Sequence, residues 1–112
     1  MKKSKKIISA LTLLVMLVSS KPVFASEYKV WSGSHTFTSS WEVPVYGSDW
    51  VMKYGFNTFL INEDYTHTKH NSVEHMAVVV NKYSSNNMAE AGYWAKIEVR
   101  HNSDTVLYGI KY

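Results

Sequence analysis

Gly92-Tyr93-Trp94-Ala95-Lys96-Ile97-Glu98-Val99-Arg100-His101 is the stretch that decides the fold class. Tyr93, Ala95, Ile97 and Val99 alternate with Trp94, Lys96, Glu98 and Arg100, a period of two. Successive side chains of a strand point to opposite faces, so this period belongs to a half-buried strand and not to a helix. Thr105 to Tyr112 repeats it, with Val106, Tyr108, Ile110 and Tyr112 against Leu107, Gly109 and Lys111. The turn formers Asn102-Ser103-Asp104 lie between the two runs, which are therefore expected to pair as a hairpin.

Upstream, the same rhythm recurs. Val73 to Lys82 holds the β-branched triplet Val78-Val79-Val80 and reads as a central strand. Trp50, Met52, Tyr54, Phe56 and Leu60 form one row of another strand, in which Gly55 predicts a bulge or bend. His35, Phe37, Ser39, Trp41 and Val43 form a row ended, or placed at a sheet edge, by Pro44. A weak strand is expected around Tyr28 to Trp31. Breaks are expected at Tyr46 to Asp49, along the polar stretch Asn62 to Ser72, and at Ser84 to Asn87, and only Met88 to Ala91 has helical propensity. Six short strands predict an all-β domain, a small antiparallel β-sandwich of two roughly three-stranded sheets.

The first 25 residues read as a secretory signal peptide rather than fold. A basic start, Lys2 to Lys6, precedes an uncharged run from Ile7 to Val18, and Val23-Phe24-Ala25 places small residues at the −3 and −1 positions of a cut before Ser26. That run is shorter than the roughly 20 residues a membrane span needs, so a secreted, extracellular product without a membrane anchor is expected. Five of the twelve Lys and Arg precede Ser26, leaving seven against nine Asp and Glu, a net charge of −2 for residues 26–112. No basic stripe remains to hold nucleic acid. The chain has no cysteine, which excludes a disulfide framework, a thiol nucleophile and a lipid-modified Cys anchor. A domain this small without staples holds itself by packing, helped in some cases by self-association into a homo-oligomer.

The densest polar constellation is Asp64-Tyr65-Thr66-His67-Thr68-Lys69-His70, with His75 beyond it. Its histidines read first as ordinary loop and strand residues, with a pH-responsive surface and a zinc site as rival readings. Metal-ligand spacing is absent, because His70 and His75 fall on opposite faces of an extended chain, so no metal or other cofactor is expected. Neither a nucleophile elbow, a zinc-protease helix nor a phosphate loop occurs, and no enzyme activity is expected. Trp94, Lys96 and Arg100 share the wet face of their strand with Glu98. Such a stripe suits stacking and charge contacts with an anionic or sugar-rich ligand, or else is a solvated face whose Trp packs on a loop.

Three stretches carry a resemblance: Val73-Glu74-His75-Met76-Ala77-Val78-Val79-Val80-Asn81, Ala91-Gly92-Tyr93-Trp94-Ala95-Lys96-Ile97-Glu98-Val99, and Tyr108-Gly109-Ile110-Lys111-Tyr112. Together they resemble the lactococcin 972 family of bacteriocins. The resemblance implies a secreted antibacterial β-sandwich that engages the lipid-linked cell-wall precursor of target bacteria and blocks septum formation without pores. The start Tyr28-Lys29-Val30-Trp31-Ser32-Gly33 and the slightly negative charge depart from the glycine-rich, basic pattern of that family. A pyrophosphate ligand directs attention to Lys69, Lys96 and Arg100 with Trp94, and to His67 and His70 as neighbours able to add charge on acidification. The alternative from another class is a secreted, non-enzymatic protein-binding or adhesion module that adds a strand at an exposed sheet edge.

Overall fold

The computed structural model describes residues 24–112, so residues 1–23, most of the expected leader, lie outside the described residues. Eight strands follow in order: β1 (Glu27–Trp31), β2 (Trp41–Tyr46), β3 (Trp50–Asn57), β4 (Glu63–His70), β5 (His75–Val80), β6 (Ser84–Ala89), β7 (Trp94–Arg100) and β8 (Leu107–Lys111). They form two four-stranded antiparallel sheets, one ordered β1-β8-β5-β6 and the other β2-β3-β4-β7. All strand pairings lie within the described residues. The domain is an all-β sandwich, as the period of two requires.

Each sheet gains a strand over the expected three. β4 forms from the polar stretch read as a break, and β6 forms from Ser84 to Ala89, which covers the expected turn and the first half of the expected helical turn. β7 and β8 are consecutive but lie in different sheets, so Asn102 to Asp104 belongs to an arch and not a hairpin. The run from His35 to Val43 is a strand only from Trp41 onward. Before it, the chain folds back over its own end. The His35 ring stacks on Trp41 at 3.8 Å, Phe37 stacks on His101 at 4.2 Å, and Trp41 Nε1 donates to the Thr36 carbonyl at 2.8 Å. Pro44 does lie on an edge strand, β2.

Gly55 causes no bulge, since the register runs unbroken through Glu42, Gly55 and Tyr65. Its role is close approach. A Cβ at position 55 would overlap the Trp41 carbonyl oxygen and come within 3.0 Å of the Tyr65 hydroxyl. Glycine leaves the outer surface low enough for the Tyr65 ring to cross it.

The core is aromatic. Trp50, Met52 and Tyr54 from β3 pack against Val79, Val106, Tyr108 and Ile110 from the other sheet side. Tyr54 and Tyr108 lie 4.8 Å apart, and Trp41 meets each of them edge-on. Burial pushes the phenols of both tyrosines up, with neighbouring charged or ionisable groups adding to it.

β4 contributes a polar row to this interior: Asp64, Thr66, Thr68 and His70 are all buried. Buried polar groups persist where partners satisfy them; those of Asp64 and Thr66 are remote in sequence, that of His70 is the adjoining turn, and the Thr68 hydroxyl has none. Asp64 accepts from Asn81 Nδ2 at 3.1 Å and meets His101 Nδ1 at 2.8 Å. Thr66 Oγ1 donates to the Val78 carbonyl at 2.9 Å, which ties one sheet to the other. The His70 Nδ1 accepts from the backbone N–H groups of Ser72 and Val73 at 3.1 and 3.3 Å and so caps the β4–β5 turn.

Candidate functional site

The outer face of the β2-β3-β4-β7 sheet follows from its register. Because side chains alternate, one residue from each strand lines up in successive cross-strand rows. The first row is Tyr46, Val51, Lys69 and Trp94, and the second is Pro44, Lys53, His67 and Lys96. The third is Glu42, Gly55, Tyr65 and Glu98, and Asn57, Glu63 and Arg100 form the fourth. Three lysines therefore share two adjacent rows with an indole, whereas the carboxylates collect in the two rows below.

Several side chains on this face are held in place. The Lys53 ammonium stands 5.6 Å from the centroid of the Trp94 ring, within the range where a cation is attracted to an aromatic face. His67 Nε2 meets Glu98 Oε2 at 2.9 Å, and the Tyr65 and His67 rings lie 5.0 Å apart. Tyr65 donates its hydroxyl to Glu42 Oε2 at 2.8 Å across Gly55. Burial pushes the Tyr65 phenol well up, and the hydrogen bond to Glu42 and the charges of Glu42 and Glu98 push in the same direction. This carboxylate and phenol network borders the lysine rows. At its foot, a cavity of about 450 Å³ is lined by Asn57, Phe59, Leu60, Ile61, Glu63 and Glu98.

Of the residues singled out in the sequence, Lys69, Lys96, His67 and Trp94 are brought onto one face in neighbouring rows. Trp94 and Lys96 are exposed, and Lys69 is half-buried. Arg100 shares that face, but it sits two rows below Lys96 opposite Glu63, roughly 13 Å along the strand. It does not join the lysines. His70 is corrected outright, because it lies on the inner side of β4 with its ring 5.0 Å from Tyr112 and 6.3 Å from His75. His75 is also interior, with Nδ1 3.1 Å from the Val73 carbonyl and Nε2 3.3 Å from that of Thr68. Lys53 was missed. In sequence it is one cation in a largely apolar strand, and the β3–β4 register sets it beside His67, with its ammonium over the Trp94 ring.

The sheet edges differ. Asn87 Nδ2 on β6 donates to the Lys96 carbonyl of β7 at 3.0 Å, which covers the outer edge of β7. β1, at the far edge of the other sheet, has Glu27, Tyr28, Lys29 and Trp31 exposed.

Fold and site together define a small eight-stranded β-sandwich that presents a cationic and aromatic sheet face. No family model, curated protein or solved structure matches the chain.

Proposed function

We propose that this chain is a secreted, non-enzymatic antibacterial protein that binds a lipid-linked cell-wall precursor through the outer face of the β2-β3-β4-β7 sheet. The observation that carries the reading is the convergence of Lys53, Lys69 and Lys96 around Trp94 on two adjacent rows. Those three lysines are a large share of the seven Lys and Arg downstream of residue 25. A pyrophosphate offers the charge that point-like ammonium groups recognise, and the attached sugars offer faces on which an indole stacks. The resemblance of Val73–Asn81, Ala91–Val99 and Tyr108–Tyr112 to the lactococcin 972 bacteriocins supports the same ligand class, and septum arrest without pores is the expected consequence.

The test titrates vesicles carrying the lipid-linked precursor against the wild-type protein and the Lys53→Ala, Lys69→Ala, Lys96→Ala and Trp94→Ala variants, alongside growth inhibition of Gram-positive lawns. Combined loss of the three lysines should weaken binding at least about tenfold, and binding should fall as salt is raised. Equal binding by wild type and all four variants removes this face from the reading.

A second reading has its own observation. The open edge of β1, an edge strand with Glu27, Lys29 and Trp31 exposed, suits a protein-binding or adhesion module that accepts an added strand. Loss of partner binding on Lys29→Pro, with the lysine-face variants silent, would favour it.

A further inference from the structure

We propose that one end of the sandwich is a bilayer-docking surface, seated through the β3–β4 loop, Thr58 to Asn62. The inference rests on residues other than the lysine face. Phe59, Leu60 and Ile61 are consecutive in this loop and are 88%, 84% and 38% exposed. No charged residue lies between Asn57 and Glu63. Three adjacent apolar side chains held in water at the tip of a hairpin are unfavourable unless something covers them.

Two other loops open at the same end. Hydrogen bonds fix this placement: the His101 N–H donates to the Asn62 carbonyl at 2.9 Å, Lys82 N–H to Asn102 Oδ1 at 3.0 Å, and Asn81 Nδ2 to the Arg100 carbonyl at 3.0 Å. Tyr83 follows Lys82 and is 71% exposed, and Trp31, paired across to Leu107 at the same level, is 57% exposed. The end thus carries Phe, Leu and Ile at a tip, with Trp and Tyr set around it. Aliphatic and Phe side chains favour the hydrocarbon, while Trp and Tyr favour the headgroup boundary.

Three observations select a bilayer as the occupant. Five side chains from two loops and the end of β1 fall far short of the roughly 20–30 residues a side that a stable protein interface uses, which disfavours a second copy. Phe59 and Leu60 stand 88% and 84% exposed, and a fluid bilayer, unlike a folded partner, needs no matching shape to cover them. The loop backbone is already partly satisfied, since Thr58 N–H donates to Ser40 Oγ at 3.2 Å, Phe59 N–H to Asn57 Oδ1 at 3.3 Å, and the Asn62 carbonyl accepts from His101. Backbone groups paired within the protein lower the cost of entering a lipid phase. The opposite end has no apolar triplet, its turns carrying Asp49, Glu74 and Glu90, whereas at this end the charged Lys82 and Asp104 lie on the flanking loops and not on the Thr58 to Asn62 tip.

The experiment is flotation of residues 26–112, the expected product, which contains both sheets, with vesicles of phosphatidylcholine alone. No precursor is present, so failure here is distinguishable from failure of the lysine-face reading. The wild-type protein should float with the vesicles in low and high salt. Phe59→Ser and Leu60→Ser should each lower the partition about tenfold or more, while Val73→Ser at the opposite end should not. All three positions are exposed, so an unchanged urea midpoint shows that the variants remain folded. Absence of wild-type flotation, retention in both loop variants, or loss of binding in high salt overturns the proposal. So does concentration-dependent dimerisation abolished by Leu60→Ser, which would assign the patch to a second copy.

Discussion

Gly55→Ala tests the architecture of the candidate face at its narrowest point. A methyl group there overlaps the Trp41 carbonyl oxygen, a backbone atom fixed by the β2–β3 register, and lies 3.0 Å from the Tyr65 hydroxyl. Overlap of this kind costs about 1–3 kcal/mol when the surroundings must shift. Displacing Tyr65 also costs its hydrogen bond to Glu42, about 0.5–1.5 kcal/mol. Alanine's smaller unfolded-state entropy offsets about 0.5–1 kcal/mol of this. The net expectation is a loss of about 1–3 kcal/mol, read by urea unfolding monitored through tryptophan fluorescence, with the melting temperature falling by about 4–8 °C for each kcal/mol. Tyr65→Phe removes one of the three crowded atoms, the others being the Trp41 carbonyl oxygen and the Glu42 Cα, together with the hydrogen bond. The two changes should therefore couple, and Gly55→Ala should cost about 0.5–1.5 kcal/mol less in the Tyr65→Phe background. Strict additivity, or a Gly55→Ala variant as stable as wild type, would refute the claim that Tyr65 crosses the sheet over a glycine.

On β7, Trp94→Ala should change stability by less than about 1 kcal/mol, since the indole is 39% exposed, whereas Ile97→Ala, half-buried against the core, should cost about 1–2 kcal/mol; chemical denaturation of both variants compares the two faces directly. Tyr54, Tyr65 and Tyr108 have phenols raised above the ordinary value of 10.0, first by burial. Their contribution is therefore complete below pH 10 and is lost as pH rises beyond it, where only the unfolded chain ionises readily; absorbance at the tyrosinate band should show these three titrating together with unfolding. Asp49 is held below its ordinary 3.8 chiefly by hydrogen bonds from Ser72 and Asn71, so its tether of the β4–β5 turn is present above that pH and lost as pH falls through its lowered value; amide exchange at Ser72 and Val73 should quicken there, and Asp49→Ala should bring the same quickening to neutral pH.

Which strands were legible depends on what their inner rows are made of. β3, β7 and β8 bury apolar or aromatic residues at every second position, so alternation announces them, and β5 is announced by its Val78-Val79-Val80 run. β4 buries Asp64, Thr66, Thr68 and His70 instead, a pattern that reads as loop because its partners Asn81, His101 and the Val78 carbonyl lie 12 to 37 residues away. β6 is a polar edge strand whose pairing is supplied by β5. The turn formers Asn102 to Asp104 are equally compatible with a hairpin and with an arch, and local chemistry does not choose between them. The choice is made by the sheets, since β7 finds β4 and β8 finds both β1 and β5. For the same reason Lys96 and Trp94 could be placed on a wet face from sequence alone, whereas Lys53 needed the register of a neighbouring strand.

The polar interior of β4 bears directly on the lysine face. A slip of one residue in strand register would move Lys69 and His67 inward and Asp64, Thr66 and Thr68 outward. In most strands an apolar inner row forbids such a slip, but β4 has only Tyr65 among its large apolar side chains, and that ring lies on the outer face. The register must be held by specific pairs. Asp64 clasped by Asn81 and His101 and Thr66 bonded to the Val78 carbonyl each fail in any other alignment, because the partners stand at fixed positions on other segments of the chain. Removing one member of the Asp64 cluster would leave a buried polar group unmatched, at a cost that an apolar row would not impose. The buried hydrogen bonds thus decide which side chains of β4 meet water, and with them the alignment of Lys53, Lys69 and Lys96 around Trp94.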